Sequence, residues 1–326
     1  MRRNNSLVAL PKNRVSGVVL STVVEEHLRA MERRGLSEYS VKHDREILSV
    51  IMKKLPGDTL VASLTTEYLE SQVFDPMRKQ GLAPRTINGR IKTLRQVLKL
   101  AVSQGYAPFN VALGLQRMVE PQDGIPALSE QQIDALLNQC DLTTFTGLRD
   151  YAMISLMLDT GIRLREMTTL KIDQVDLRNL KLRDVLGKNR KVEDIAVSGP
   201  VCAVLEHYIN ERNRVKVTTD IAFVTISGTA LKRNTVYHLI KDYGKAVGIT
   251  DVRVSPHTFR HTLAKHWILN GGDPFSLQKT LRQSDMEMVK RYIHMWGHEL
   301  AQRHEKFSPM AKRKLAASRP IKGRKK

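Results

Sequence analysis

Residues 119–132 read Val-Glu-Pro-Gln-Asp-Gly-Ile-Pro-Ala-Leu-Ser-Glu-Gln-Gln, and this stretch divides the chain. Two prolines and an Asp-Gly pair, with no helical periodicity, make residues 119–128 a linker. Ser129 with Gln132 three positions later has the pattern of a capping box, in which each side chain takes up a backbone N–H left unbonded at a helix start. One folded unit therefore closes before residue 119 and another opens at residue 129. A chain of 326 residues is expected to hold two domains. The boundaries read as 15–118 and 129–310, with a basic tail at 311–326.

Upstream of the linker the apolar spacing is helical. Val24, Leu28 and Met31 share one face, and Gly35 is placed to end that helix. Ser37 opens a second helix with Val41, Leu48, Ile51 and Leu55 toward a core. Thr65 opens a third. Thr86 opens a fourth that ends near Gly105, with Ile87, Ile91, Leu94, Leu98 and Ala101 as its apolar stripe. The other side of this fourth helix carries Lys92, Arg95 and Lys99 at spacings of three and four, with Arg85 just before its start. Residues 75–117 hold eight Lys or Arg against one acid, Asp75. Such a face suits a DNA backbone, and these four cations are the candidate DNA contacts. The same pattern also describes an ordinary solvated helix face.

Downstream of the linker the pattern is mixed. Residues 147–159 read as a buried helix ending at Thr160-Gly161. Residues 180–186 and 192–197 read as strands around the turn Gly187-Lys188-Asn189-Arg190-Lys191. Residues 201–212, 233–247, 257–269, 274–282 and 285–293 read as helices. The expected fold class is mainly α: an N-terminal four-helix domain, then a mixed α/β domain that is helical with a small β-ribbon.

Composition narrows the function. Hydrophobic residues at 41% and charged residues at 26% suit ordinary globular cores. No stretch approaches the roughly 18 apolar residues of a membrane span. Met1-Arg2-Arg3 is not followed by the apolar run of a signal peptide. No membrane partner is expected, and the cytosol or a bacterial nucleoid is the expected location. Cys140 and Cys202 are too few for a disulfide framework or a metal cluster. The net charge is +20; eight cations in residues 311–326 and four in residues 1–14 leave +8 on residues 15–310. A body that is basic in its own right points to a polyanionic partner, nucleic acid first.

The residues able to do chemistry fall in five places. Arg163 lies in Thr160-Gly161-Ile162-Arg163-Leu164-Arg165-Glu166, just after a helix-ending glycine. Lys188 sits in the hairpin turn, where Lys191 competes for its role. His257-Thr258-Phe259-Arg260 puts His and Arg on one helix face. Gln283 follows in Leu281-Arg282-Gln283-Ser284, and Tyr292 lies in Arg291-Tyr292-Ile293-His294. Taken singly, each is commonplace: a surface ion pair, a turn lysine, a helix-start histidine, a half-buried tyrosine.

Their order and spacing resemble the tyrosine recombinases, or phage integrase family, over roughly residues 129–300. A weaker match at 18–115 is similar to that family's core-binding domain. Arg163 to Lys188 is 25 residues, His257 to Arg260 is 3, Arg260 to Gln283 is 23, and Gln283 to Tyr292 is 9. The resemblance implies a two-domain clamp on double-stranded DNA, acting as a tetramer on two duplexes and joining DNA to Tyr292 through a 3′-phosphotyrosyl bond. Arg163 and Arg260 would grip the nonbridging oxygens with paired hydrogen bonds. A phenol with pKa about 10 needs a base, and His257 is the candidate. Lys188 would protonate the leaving 5′ oxygen. The bond energy is kept in the phosphotyrosine, so neither metal nor cofactor is expected.

Gln283 departs from the family pattern, which has His or Trp there, and Arg282 stands where the family has Gly. An amide can donate a hydrogen bond but cannot carry a proton. Glu166 reads as a structural residue that orients its neighbours, and His261, His266 and His294 read as structural. The short segment ahead of the first helix is expected to leave no room for the arm-binding domain of larger phage integrases. The layout resembles compact Xer-like or transposon-encoded recombinases. Two alternatives share the features: DNA relaxation of the type IB topoisomerase kind, and a DNA-binding relative with a weak or lost active site.

Overall fold

The computed structural model describes residues 17–121, 124–187, 191–283 and 286–296. The chain divides into two compact units, Met1–Gln122 and Asp123–Lys326. The mainly helical fold class read from the sequence is borne out, with one small sheet. Among the described residues, no helix is long and apolar enough to cross a membrane.

In the first unit, α1 (Leu20–Arg33) and α2 (Glu38–Met52) are joined by a turn at Gly35, which has φ +66°. The Ser37 hydroxyl accepts from the Ser40 N–H and caps α2. The third helical stretch runs as α3 (Thr66–Leu69), a π-helical turn (Glu70–Phe74) and α4 (Asp75–Lys79). Pro76 explains the irregularity: it lacks an N–H for the regular ladder, and a widened turn upstream absorbs the break. The fourth stretch, α5 (Pro84–Ser103), begins two residues before the expected Thr86 because Pro84 sits in its first turn, where no donor is required. Ile87, Ile91, Leu94, Leu98 and Ala101 are all buried in one core with Leu20, Leu28, Leu48, Ile51 and Phe74. Burying each large apolar side chain contributes about 1.5–3 kcal/mol.

The second unit opens before its first helix. Ile125 and Leu128, both within the stretch read as linker, are buried in it. The Leu128 N–H donates to Thr262 Oγ1 at 2.9 Å. The capping box at Ser129 then starts α6 (Glu130–Asn138), with both reciprocal hydrogen bonds made. α7 (Phe145–Thr160) is buried nearly all round, through Ala152, Met153, Ile154, Leu156 and Met157, which marks it as the central helix. Gly161 ends it, and α8 (Leu164–Thr168) follows.

The sheet has three antiparallel strands in sequence order: β1 (Val175–Asp176), β2 (Lys181–Leu186) and β3 (Val192–Ala196). β1 was not among the strands read from the sequence; two residues are too few to show alternation. The β2–β3 pairing shifts register between Leu182 and Val185, where Asp184 takes φ +50°. That irregularity keeps Leu182, Val185 and Ile195 all facing the core. Among the described residues, five further helices follow in the unit: α9 (Gly199–Arg212), α10 (Arg233–Ala246), α11 (Pro256–Leu269), α12 (Pro274–Thr280) and α13 (Glu287–Trp296). α7 packs between α9 and α11, while α11, α12 and α13 pack together and bury Tyr292 with Ile268, Leu277, Leu281 and Val289. Lys188, residues 297–310 and the tail at 311–326 lie outside the described residues.

Candidate active site

The site grows from the end of α7. Gly161 has φ +60°, a left-handed conformation that glycine adopts without strain. A Cβ there would also lie 3.0 Å from Leu281 Cδ2 and 3.1 Å from Leu263 Cδ2. Glycine is thus required twice, for conformation and for close approach. The Gly161 carbonyl accepts from Arg260 Nη1 at 2.7 Å, which ties α11 to the end of α7. Arg260 Nη2 donates to the Leu281 carbonyl.

Arg163 precedes α8. Its N–H donates to Glu166 Oε2 at 3.0 Å and its Nη1 to Glu166 Oε1 at 2.9 Å. Its Nη2 reaches the Arg282 carbonyl at 3.2 Å. Arg282 in turn gives Nη2 to Glu166 Oε2 at 2.6 Å. Glu166 is therefore held between two guanidiniums, and its side chain is only 4% exposed. Burial raises its pKa, but the charge of Arg282 and the hydrogen bonds and charge of Arg163 outweigh burial, and the carboxyl is held below its usual range. The orienting role read for Glu166 has this geometric form.

Arg163 and Arg282 thus hold one carboxylate, and Arg260 lies within range of all three charges. The excess of positive charge has a consequence for Arg260. Burial, then the charges of Arg163 and Arg282, pull its pKa down to about 10. Arg282 itself is the irregular member. It has φ +49° where glycine would be unstrained, and its Nε and Nη1 are buried without a partner. Strain of this kind costs about 1–3 kcal/mol and persists where the surroundings enforce it. This left-handed residue also explains why α12 stops at Thr280, short of the expected 282.

On α11, His257 stands one turn before His261. Burial, then the charges of Arg260, Arg233 and Arg163, hold the His257 imidazole below its ordinary range. His261 meets the tyrosine: its Nδ1 is 2.8 Å from Tyr292 Oη, and the rings meet edge to face with centroids 5.7 Å apart. Tyr292 is 1% exposed. Burial raises its pKa, opposed by the Arg260 charge, a hydrogen bond from Gln283 and the Arg291 charge, so the phenol is held protonated at neutral pH. Gln283 is thereby brought to the tyrosine, and its Oε1 is buried without a partner.

Arg163, Arg260, Gln283 and Tyr292 therefore fall into one site, and His257 lies within range of the charges of Arg163 and Arg260. Lys188 is outside the described residues. The hairpin stem runs up to Gly187, where a Cβ would be 3.7 Å from Glu166 Oε1. The sequence reading missed the place of His261. A signal was present: His257 and His261 are four apart and so share a helix face.

The candidate DNA contacts divide. Arg85, Lys92 and Lys99 are exposed on or at the start of α5. Arg95 has another use. Its Nε donates to Ala112 O at 2.9 Å, and its Nη2 to Leu115 O at 2.8 Å and Leu113 O at 3.2 Å. A guanidinium spent on three carbonyls of the segment after α5 holds that segment in place.

The class these features define is shown by comparison. Residues 126–297 match the phage integrase family. The chain belongs to that family: it is a tyrosine recombinase, a DNA strand-exchange enzyme. Within the family it is of the Xer-like type. It is 28% identical over 301 residues to tyrosine recombinase XerD of Staphylococcus haemolyticus, covering 90% of this chain and 100% of that one. To XerD of Listeria innocua it is 29% identical, covering 85% of this chain and 95% of that one. In fold it is similar to the integrase of transposon Tn1549 in complex with a circular intermediate DNA, with TM-score 0.70 and 17% identity, covering 86% of this chain and 99% of that one. It is likewise similar to a lambda integrase dimer bound to a COC′ core site, with TM-score 0.68 and 14% identity, covering 83% of this chain and 97% of that one.

Proposed function

We propose that this recombinase cuts one DNA strand at a specific site by attack of Tyr292 on phosphorus, holds the strand as a 3′-phosphotyrosyl ester, and rejoins it to a partner strand. The observation that carries the reading is the convergence of Arg163, Arg260 and Tyr292, with Glu166 fixing one guanidinium and two backbone carbonyls fixing the other.

The scissile phosphate is anionic, and its five-coordinate transition state gathers further charge on the nonbridging oxygens. A preorganised guanidinium aimed at that charge is worth about 3 kcal/mol or more. Arg163 and Arg260 take this role, and their mutual repulsion is relieved when the phosphate arrives. Gln283 supplies an amide hydrogen bond near the phenol and carries no proton. His257, held neutral among the arginines, adds a hydrogen-bond donor. Lys188, which follows Gly187 in the sequence, protonates the leaving 5′ oxygen.

The partner is double-stranded DNA, gripped by two domains as a clamp and assembled as a tetramer on two duplexes. The DNA complexes in which the Tn1549 and lambda integrases were solved support DNA as the partner. The surplus charge of the folded body supports it too. In the first unit Arg85, Lys92 and Lys99 track the backbone. The cell compartment is the bacterial nucleoid, and the service is to a mobile element, which the likeness to a transposon integrase supports alongside Xer-type relatives.

The test is a nicked duplex in which a cut strand loses a short fragment and cannot be rejoined, tiled across the DNA flanking the coding sequence. Wild type should leave a denaturation-resistant protein–DNA adduct on one duplex, absent in Tyr292→Phe. DNA binding without an adduct would instead favour a binding-only protein, the reading that Gln283 in place of histidine would support.

A further inference from the structure

We propose that His261 is the group that takes the proton from Tyr292 when the phenol attacks. The inference rests on the strand-cutting role given above to Tyr292 and deepens it by assigning the proton acceptor to a residue outside the His-x-x-Arg pair.

The geometry carries it. His261 Nδ1 is 2.8 Å from the phenolic oxygen, within the normal range for a hydrogen bond in which the hydroxyl donates to a ring nitrogen. α11 and α13 pack directly on each other, so helix-to-helix packing fixes the pair. Ile268, Leu277, Leu281 and Val289 pack in one cluster with the ring, and Gln283 is a second hydrogen-bond partner of the phenol. A general base has to stand within hydrogen-bond reach of the proton it removes, and this one does. The charged and titratable groups around His261 are His257 and Arg260 on its own helix, and Arg291 and Tyr292 on α13. Burial, then His257, Arg260 and Arg291, pull its pKa down to about 4, so at neutral pH the ring is neutral, and the tautomer with its proton on Nε2 is the one in which Nδ1 accepts from the phenol.

The step balances without a metal or a redox partner. The Tyr292 O–H bond breaks and its proton goes to His261 Nδ1. The phenolic oxygen forms a bond to phosphorus, and the bond from phosphorus to the 5′ oxygen breaks. That oxygen takes a proton from the general acid and leaves as a hydroxyl. On rejoining, the incoming 5′ hydroxyl gives its proton back to the deprotonated general acid, its oxygen bonds to phosphorus as the bond from phosphorus to Tyr292 Oη breaks, and His261 returns its proton to the phenolic oxygen. The imidazolium is disfavoured among the arginines alone. An anionic phosphate within the cluster offsets their charge, so His261 becomes a stronger base when substrate is bound.

The experiment compares His261→Gln with wild type on the nicked duplex that gives the wild-type adduct. Glutamine can still accept the phenol's hydrogen bond but cannot take its proton. Adduct formation by His261→Gln should be about 100-fold slower or worse at pH 7, with DNA binding unchanged. Its rate should climb with pH as the phenol ionises on its own, while the wild-type rate stays nearly flat from pH 7 upward. A duplex with sulfur in place of the scissile 5′ oxygen removes the need for a general acid. It should leave the His261→Gln defect in place and restore a variant that lacks the acid. His261→Ala supplies a second measurement, since added imidazole should recover part of its rate. Adduct formation by His261→Gln within about threefold of wild type, with the same pH profile, would overturn the assignment and make His261 a packing partner of the resting tyrosine. So would a defect repaired by the sulfur substrate. In either case the Tyr292 reading survives, because it is tested separately by wild type against Tyr292→Phe.

Discussion

The two units treat their buried polar groups in opposite ways. In the first, Arg78 is shared among Glu70, Asp75 and the Gln116 carbonyl, Arg95 is spent on three carbonyls, and Asn88 bonds the Met118 backbone on both sides. Among the described residues, every buried side-chain polar atom left without a partner lies in the second unit. Three of those five atoms, Arg282 Nε, Arg282 Nη1 and Gln283 Oε1, belong to the segment between α12 and α13 that borders the site. An unpaired buried donor costs about 1–3 kcal/mol. The first unit is built as a satisfied frame, whereas the second concentrates strain and uncompensated positive charge at one place, as expected where an anion is to be bound.

That contrast can be broken most forcefully at Glu166. Glu166→Gln leaves Arg163 and Arg282 without their shared carboxylate. Removing one partner of a buried ion pair typically costs about 3–5 kcal/mol. A loss of that order in denaturant melts, together with adduct formation reduced at least tenfold, is expected. A variant as stable and active as wild type would remove Glu166 from the account. Arg95→Ala comes next. Three carbonyls lose their donor, and a loss of about 2–3 kcal/mol is expected at hydrogen bonds to a charged group, with DNA affinity per folded molecule little changed. Lys99→Ala should do the reverse, leaving stability within about 0.5 kcal/mol and lowering the slope of log affinity against log salt by about one. If the two variants behaved alike, the division between frame and contact on α5 would fail.

Arg282→Gly is a subtler case. It relieves the positive φ and two orphaned donors but leaves Glu166 with Arg163 alone. The opposing terms should nearly cancel, giving a stability change well under half that of Glu166→Gln. A further expected effect is in pH. His261 has a folded pKa of about 4 against an ordinary 6.5, so the unfolded chain binds its proton more readily than the folded one. Its contribution to stability is present above about pH 6.5 and is lost as pH falls from there toward 4. His261→Gln should flatten that part of the curve of melting temperature against pH.

Much of the fold is legible in the sequence because its signals are local. Ser129 with Gln132, Ser37 and Gly161 mark boundaries through hydrogen bonds or dihedral angles set within a few residues. The apolar stripe of α5 needs only its own periodicity. Elements that depend on distant partners are the ones missed: β1 is two residues long and exists through pairing with β2, and α8 is too short to show a period. Pro84 moved the start of α5 because its ring suits the first turn. The site shows the same division. Arg163, Arg260 and Tyr292 are found by spacing, which carries a likeness to other chains. The partner of His261 lies 31 residues away on another helix, so its spacing of four from His257 shows a shared helix face but not the tyrosine it meets, while His266 Nδ1 pairs instead with Glu130. Arg95 looked like a DNA contact because periodicity puts it on the basic face, and only the returning segment after α5 shows what occupies it.

The central claim is that the phenol at 292, served by the arginine cluster, becomes joined to DNA. Trapping the adduct on the nicked duplex, digesting protein and DNA, and locating the nucleotide-bearing peptide by mass spectrometry tests this most directly. A phosphodiester on Tyr292, lost in Tyr292→Phe and strongly reduced in Arg260→Ala, is the predicted result. Attachment at any other residue, or an adduct that persists in Tyr292→Phe, would contradict it.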